Sequence, residues 1–345
     1  MRMKPGVAEM RGGGMGPLLL QVVAGLGVVA MALLTAGCGD QGESAGGESG
    51  ETRVIVASIH PLADLASQVA GPGFEVQTLL SAGATPHGFE LTAEKMRLLG
   101  RADLVLAVGS NVDPWADRAA EQVAGDLPVL HMAEMVDRAA AGHEHAHDNE
   151  HEHDDHGHEH AGPEDHLWLD PVLARQWVDA LREELVSRFP DRSAEIERNA
   201  TAVVASLEEL DQAYREQLAN VPRKELVTFH NAFDRLAERY GLEVVAHLTE
   251  VELDHGAEIR PDRWRQAVAA VRTHDLRVLY SEPQFPDRAI ASLQREAGVD
   301  VLRLDPLGHP RREGFETYQA MMRSNLATLV DGQSRSRWQG EAVTW

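Results

Sequence analysis

The chain has 345 residues, 43% of them hydrophobic and 5% aromatic, with a formal net charge of −23. That apolar content suffices for globular cores in two domains of ordinary size, and the negative charge argues against nucleic acid or an anionic membrane surface as a partner. The only cysteine, Cys38, excludes a disulfide framework within the chain.

The N-terminus reads as a targeting segment. Arg2, Lys4 and Arg11 are followed by an apolar stretch from about Leu18 to Leu34, ending in Leu34-Thr35-Ala36-Gly37-Cys38. This is the pattern of a secretory signal, residues 1–37, with small residues at the cleavage site. A cysteine directly after Ala-Gly resembles the lipobox of bacterial lipoproteins, where the signal is cut before the cysteine and the cysteine is acylated. Thr35 stands where leucine is usual. Cys38 is therefore the expected lipidation site; a plain signal peptide or a membrane anchor is the alternative, although the apolar run is short for a span. Removing residues 1–37 takes three of the 32 basic residues and one of the 55 acidic ones, so the mature part is more acidic still. Residues 38–52, rich in Gly, Ser and Glu, read as a flexible tether.

Strands and helices then alternate. Arg53–Ser58 is a β-branched run expected as a buried strand. Helical spacing follows at Leu62, Leu65, Ala66 and Val69, a second strand at Glu75–Leu80, and a loop carrying His87. A helix is expected at 92–100 behind an N-cap threonine, a strand at 103–109, a helix at 115–124 and a short strand at 127–131. From His143 to His166 the sequence turns acidic and histidine-rich. His143, His145, His147, His151, His153, His156, His158 and His160 are interleaved with Asp and Glu and almost nothing apolar. Such a tract cannot bury a core, and its composition reads as an auxiliary metal-binding, otherwise disordered loop over 141–165. A solvated acidic linker is the bland alternative. The apolar run His166-Leu-Trp-Leu-Asp-Pro171 leads into a helix over 171–189 with proline at its first position. Residues 191–219 form a long amphipathic run without Gly or Pro, about 40 Å as a helix. The alternation then repeats, with strands expected at 225–229, 243–248, 277–281 and 299–304. The helices between and after them are expected at 231–240, 261–273, 287–297 and 317–330. Parallel α/β organisation follows: an N-terminal lobe over 53–190, a linking helix over 191–219, a C-terminal lobe over 220–332 and a loose tail over 333–345.

Four residues stand just beyond strand ends or the loop, where parallel sheets place ligands: His87, His166, His230 and Glu282. Three imidazoles and a carboxylate suit a closed four-coordinate zinc site, whereas three histidines alone would leave a position for water. His60, His131, His247, His255, His274 and His309 are expected to be ordinary loop histidines, with a cleft-side role for His60 and transient metal contact at His247 or His255 as alternatives. Trp168 and Phe233 are expected to pack the cleft wall. A zinc hydrolase is disfavoured, since the one His-Glu-x-x-His of the chain, His143 to His147, falls in the low-complexity tract and no evident general base stands beside these four residues.

Several segments, in order, carry a resemblance: Gly83-Ala-Thr-Pro-His87-Gly-Phe-Glu90, His166-Leu-Trp-Leu-Asp-Pro171, Phe229-His230-Asn-Ala-Phe233, Ser281-Glu-Pro-Gln-Phe285 and Leu304-Asp-Pro-Leu-Gly308. Over about residues 53–331 the chain resembles the ZnuA-like zinc-binding lipoproteins of bacterial ABC metal importers, whose zinc members also carry a histidine-rich loop. The resemblance implies two lobes, each with a four-stranded parallel sheet flanked by helices, joined by a long rigid helix with metal in the interlobe cleft. It assigns ligand roles to His87, His166 and His230 and makes Glu282 the expected fourth ligand, though some relatives use water there. Manganese-binding relatives have a carboxylate where this chain has His230, so Zn²⁺ is the expected ion. The expected function is non-enzymatic: extracytoplasmic zinc capture by a lipid-anchored monomer and delivery to an ABC permease and its ATPase. Another divalent metal, or a surface adhesin or metal buffer without transport, is the alternative.

Overall fold

The structure, a computed structural model, describes residues 52–109, 112–123, 127–144, 166–249, 259–285 and 287–335, all within the compact unit Gly50–Trp345. The signal segment, Cys38, nearly all of the tether, seven of the eight tract histidines, His255 and the last ten residues lie outside the described residues; His143 falls in the last turn of a helix.

The first sheet contains β1 (Arg53–Ala57), β2 (Phe74–Thr78), β3 (Leu104–Ala107) and β4 (Val129–His131) in the order β2-β1-β3-β4, all parallel. The central strands read Arg-Val-Ile-Val-Ala and Leu-Val-Leu-Ala and are buried on both faces, as a sheet covered by helices on both sides requires. Those helices are α1 (His60–Ala70), α2 (Ala93–Leu99), α3 (Trp115–Val123) and α4 (Met132–Glu144). The helix α4 was not among the expected elements.

The helix α5 (Pro171–Arg188) packs against α6 (Ser193–Ala219), the long linking helix, whose 27 residues span about 40 Å. Its buried stripe of Ile196, Ala200, Val203, Leu207, Leu210, Tyr214 and Leu218 recurs every three or four residues.

The second sheet repeats the first. β5 (Glu225–Thr228), β6 (Glu243–His247), β7 (Val278–Ser281) and β8 (Asp300–Arg303) are parallel in the order β6-β5-β7-β8, with α7 (Asp234–Arg239), α8 (Pro261–Thr273) and α9 (Asp287–Ala297) between them. The closing helix, α10 (Tyr318–Ser334), runs past the end expected at Val330. Its continuation is held by tertiary contacts. Gln333 accepts from the Tyr280 hydroxyl and donates to the carbonyls of Arg223 and Glu225, and Gly332 lies so close to the Tyr280 hydroxyl that no Cβ would fit there.

The lobes share more than the linking helix. One continuous apolar core includes Leu62 and Leu65 of α1, Leu207 and Leu210 of α6, Phe233 and Leu236 beside β5, and Met321, Met322 and Leu326 of α10. Across the same seam the amides of Gln68 and Gln319 exchange two hydrogen bonds of 3.0 Å, and Asp64 accepts from the backbone N–H of Tyr318 at 2.7 Å.

Candidate metal centre

His87 lies in a short turn, His230 and Glu282 follow strands, and His166 opens a turn that leads into a helix. His87 occupies a single 3-10 turn, Pro86–Gly88, where Thr85 accepts from the His87 backbone N–H at 3.4 Å. Trp115 of α3 fixes that turn by donating its indole N–H to the Pro86 carbonyl at 2.9 Å, with Phe89 packed 4.5 Å from the Trp115 ring.

His166 precedes the turn Leu167–Leu169 and α5. The residues after it explain the local sequence. Trp168 donates to the Pro306 carbonyl at 2.6 Å, and the Tyr318 hydroxyl donates to the Trp168 carbonyl at 2.6 Å, so the turn is bonded to the opposite lobe. Asp170 caps α5, accepting from Val172 N at 2.9 Å and Leu173 N at 3.4 Å, while its other oxygen accepts from Arg239 of α7. Burial pushes the Asp170 carboxyl up, and Arg239 and the two backbone amides pull against it.

His230 follows β5 with extended backbone (φ −136°, ψ −179°) and is 4% exposed. Glu282 follows β7 and is 2% exposed. Its Oε1 accepts from His230 Nδ1, and its Oε2 accepts from Gln284 at 2.6 Å. Burial pushes the Glu282 carboxyl above the usual carboxylate range; His230 opposes that shift and Asp305 adds to it.

His87, His166 and His230 converge. One ring nitrogen from each lies within 4.8 Å of the others, and theirs is the one such group of potential metal donors among the described residues. Ring centroids are separated by 5.7 Å (His87–His166), 6.3 Å (His87–His230) and 5.1 Å (His166–His230). Trp168 packs 5.0 Å from His166, and Phe285, stacked at 4.1 Å on Phe229, packs 5.5 Å from His230. The donor set fits zinc: tetrahedral nitrogens about 2.0–2.1 Å from the ion are about 3.4 Å apart, so the rings need draw in only by about an ångström. Apolar walls of this kind would lower the local dielectric around a bound ion.

Glu282 stands outside the group of three and touches it through His230. Among the described residues, four other histidines are engaged elsewhere. His60 bonds the Glu316 carbonyl at 3.0 Å on the seam, His131 lies 2.9 Å from Asp117, and His309 accepts from Arg311 N at 3.0 Å. His247 contacts Thr228 and Asp234. Sequence reasoning missed the supporting residues Gln284, Arg239, Thr228 and Asp234; none is marked by spacing, because each acts across the fold or around a turn.

The family model described as zinc-uptake complex component A, periplasmic, matches residues 55–332. The chain is 30% identical over 292 residues to the zinc-binding lipoprotein AdcA of Streptococcus pneumoniae, covering 80% of this chain and 54% of that protein. It thus spans about half the length of the AdcA relatives it matches. It is 27% identical over 315 residues to the manganese-binding lipoprotein MntA of Halalkalibacterium halodurans, covering 89% of this chain and 97% of that protein. The fold is similar to the periplasmic zinc-binding protein TroA from Treponema pallidum, with a TM-score of 0.70 at 23% identity, covering 83% of this chain and all of that one.

Proposed function

The chain belongs to the ZnuA family, and from that premise we propose that it captures Zn²⁺ outside the cytoplasm and delivers it to the permease and ATPase of an ABC importer. The family is one of metal-binding uptake components rather than enzymes. The convergence of three imidazoles from both lobes on one buried point carries the reading.

In this reading His87, His166 and His230 bind the cargo ion through ring nitrogens. Glu282 is the acidic member of the site: by holding the Nδ1 hydrogen of His230 it sets the tautomer that leaves Nε2 for the metal. Imidazole must be deprotonated to bind, so acid competes with the ion and favours release. An all-nitrogen donor set suits zinc better than manganese, which prefers oxygen ligands. The relative named for manganese supports a second reading, in which another divalent ion shares the site. Lipidation at Cys38 would hold the protein at the membrane near its permease, in keeping with relatives named as lipoproteins. The tract from His143 to His160 would collect zinc weakly and pass it to the central site.

Uptake of labelled zinc by cells that carry the chain and its permease tests the proposal. His166→Ala is expected to abolish the uptake that depends on this chain, and excess manganese to leave it unchanged. Full uptake by His166→Ala would overturn the assignment, and manganese competing as well as zinc would favour the second reading.

A further inference from the structure

We propose that His247 is a positioning residue for the metal site, clamping the two ends of the turn that carries His230. The inference rests on the reading of His230 as a ligand.

The turn lies between Thr228, the last residue of β5, and Asp234, the first residue of α7. Its own 3-10 segment, Asn231–Phe233, has no side-chain cap. Parallel pairing places Thr228 opposite His247 at the end of β6. The Thr228 hydroxyl donates to the His230 carbonyl at 2.9 Å. That uses its only hydrogen, so in the 2.9 Å contact with His247 Nδ1 the hydroxyl accepts and Nδ1 carries the hydrogen. On the other side of the same ring, Nε2 lies 3.1 Å from the Asp234 carboxylate. A carboxylate only accepts, so Nε2 carries a hydrogen as well, and one doubly protonated ring ties the hydroxyl that holds the His230 carbonyl to the first residue of the following helix. Thr228 is buried, whereas the His247 and Asp234 side chains are 24% and 46% exposed, so the clamp closes the turn from its solvent side.

His230 is thus constrained twice. Glu282 orients its ring and His247, through Thr228, fixes its backbone. A metal site requires its donors held to about 0.5 Å, and an unsupported turn does not supply that.

Zinc affinity of the full chain, measured against a competing chelator that reads only the tightest site, tests the clamp. His247→Ala is expected to weaken binding roughly tenfold, in the range of other outer supports of metal ligands. His247→Asn, whose amide can still donate to Thr228 but leaves the Asp234 end open, is expected to recover part of the loss. The double variant Thr228→Val with His247→Ala is expected to cost no more than the larger single change, because the two act in series. With Co²⁺ as the probe, the absorption bands of His247→Ala are expected to shift, which a loss of fold stability alone would not produce. Unshifted bands with unchanged affinity in His247→Ala and His247→Asn, while His230→Ala removes the tight site, would overturn the clamp alone. A tight site that survives His230→Ala would overturn the ligand reading beneath it.

Discussion

In the proposed site Glu282 acts on the ion through His230. It is 2% exposed, and each of its oxygens accepts a hydrogen bond, one from His230 and one from Gln284. A buried carboxylate in such a position fixes which imidazole nitrogen faces the metal. Glu282→Gln keeps the volume and removes the charge. Zinc affinity in a chelator competition is expected to fall on the order of ten- to a hundredfold, and unchanged affinity would contradict the role. The position of Glu282 at the end of β7 was legible in the sequence as a strand-end residue. Its pairing with His230 was not, because the two are 52 residues apart and only the fold sets them side by side.

At the scale of elements, α5 is where sequence and structure agree most closely. The helix expected over 171–189 with proline at its first position is present as Pro171–Arg188, and Asp170 caps it. What the sequence did not show is that Asp170 also pairs with Arg239 of the other lobe. Asp170→Ala removes both the cap and the pairing and leaves a helix end beside the ligand turn unsatisfied. A loss of about 2 kcal/mol or more is expected in denaturant unfolding of the metal-free protein, since a cap alone contributes about 1 kcal/mol. A loss below about 0.5 kcal/mol would contradict it. Two helices mark the limits of local reading. For α4, the spacing of Met132, Met135 and Val136 was visible and all three are buried, but the run follows β4 without a turn signal and fades into the histidine tract. For α10, the last turn has no apolar stripe; Gln333 keeps it helical through bonds to three residues of the C-terminal lobe.

Across the whole molecule, alternating strands and helices on either side of a long uninterrupted helix made the two-lobed architecture legible. The shared strand order of the two sheets and the continuity of the core across the seam were not, because both depend on packing between distant segments. That continuity has a functional consequence. Parting the lobes would expose side chains of α1, α6 and α10 at about 25 cal/mol per Å² of apolar surface, and would break the bonds of Trp168 to Pro306 and of Gln68 to Gln319. On the proposed function, exchange of the ion is expected to involve the turns that carry the histidines rather than hinge opening of the lobes. Calorimetric titration with zinc of the chain lacking residues 143–160, with and without His230→Ala, tests the central claim most directly. One tight site that survives removal of the tract and disappears with His230→Ala is the predicted result. Loss of all tight binding with the tract, and indifference to His230, would contradict the account.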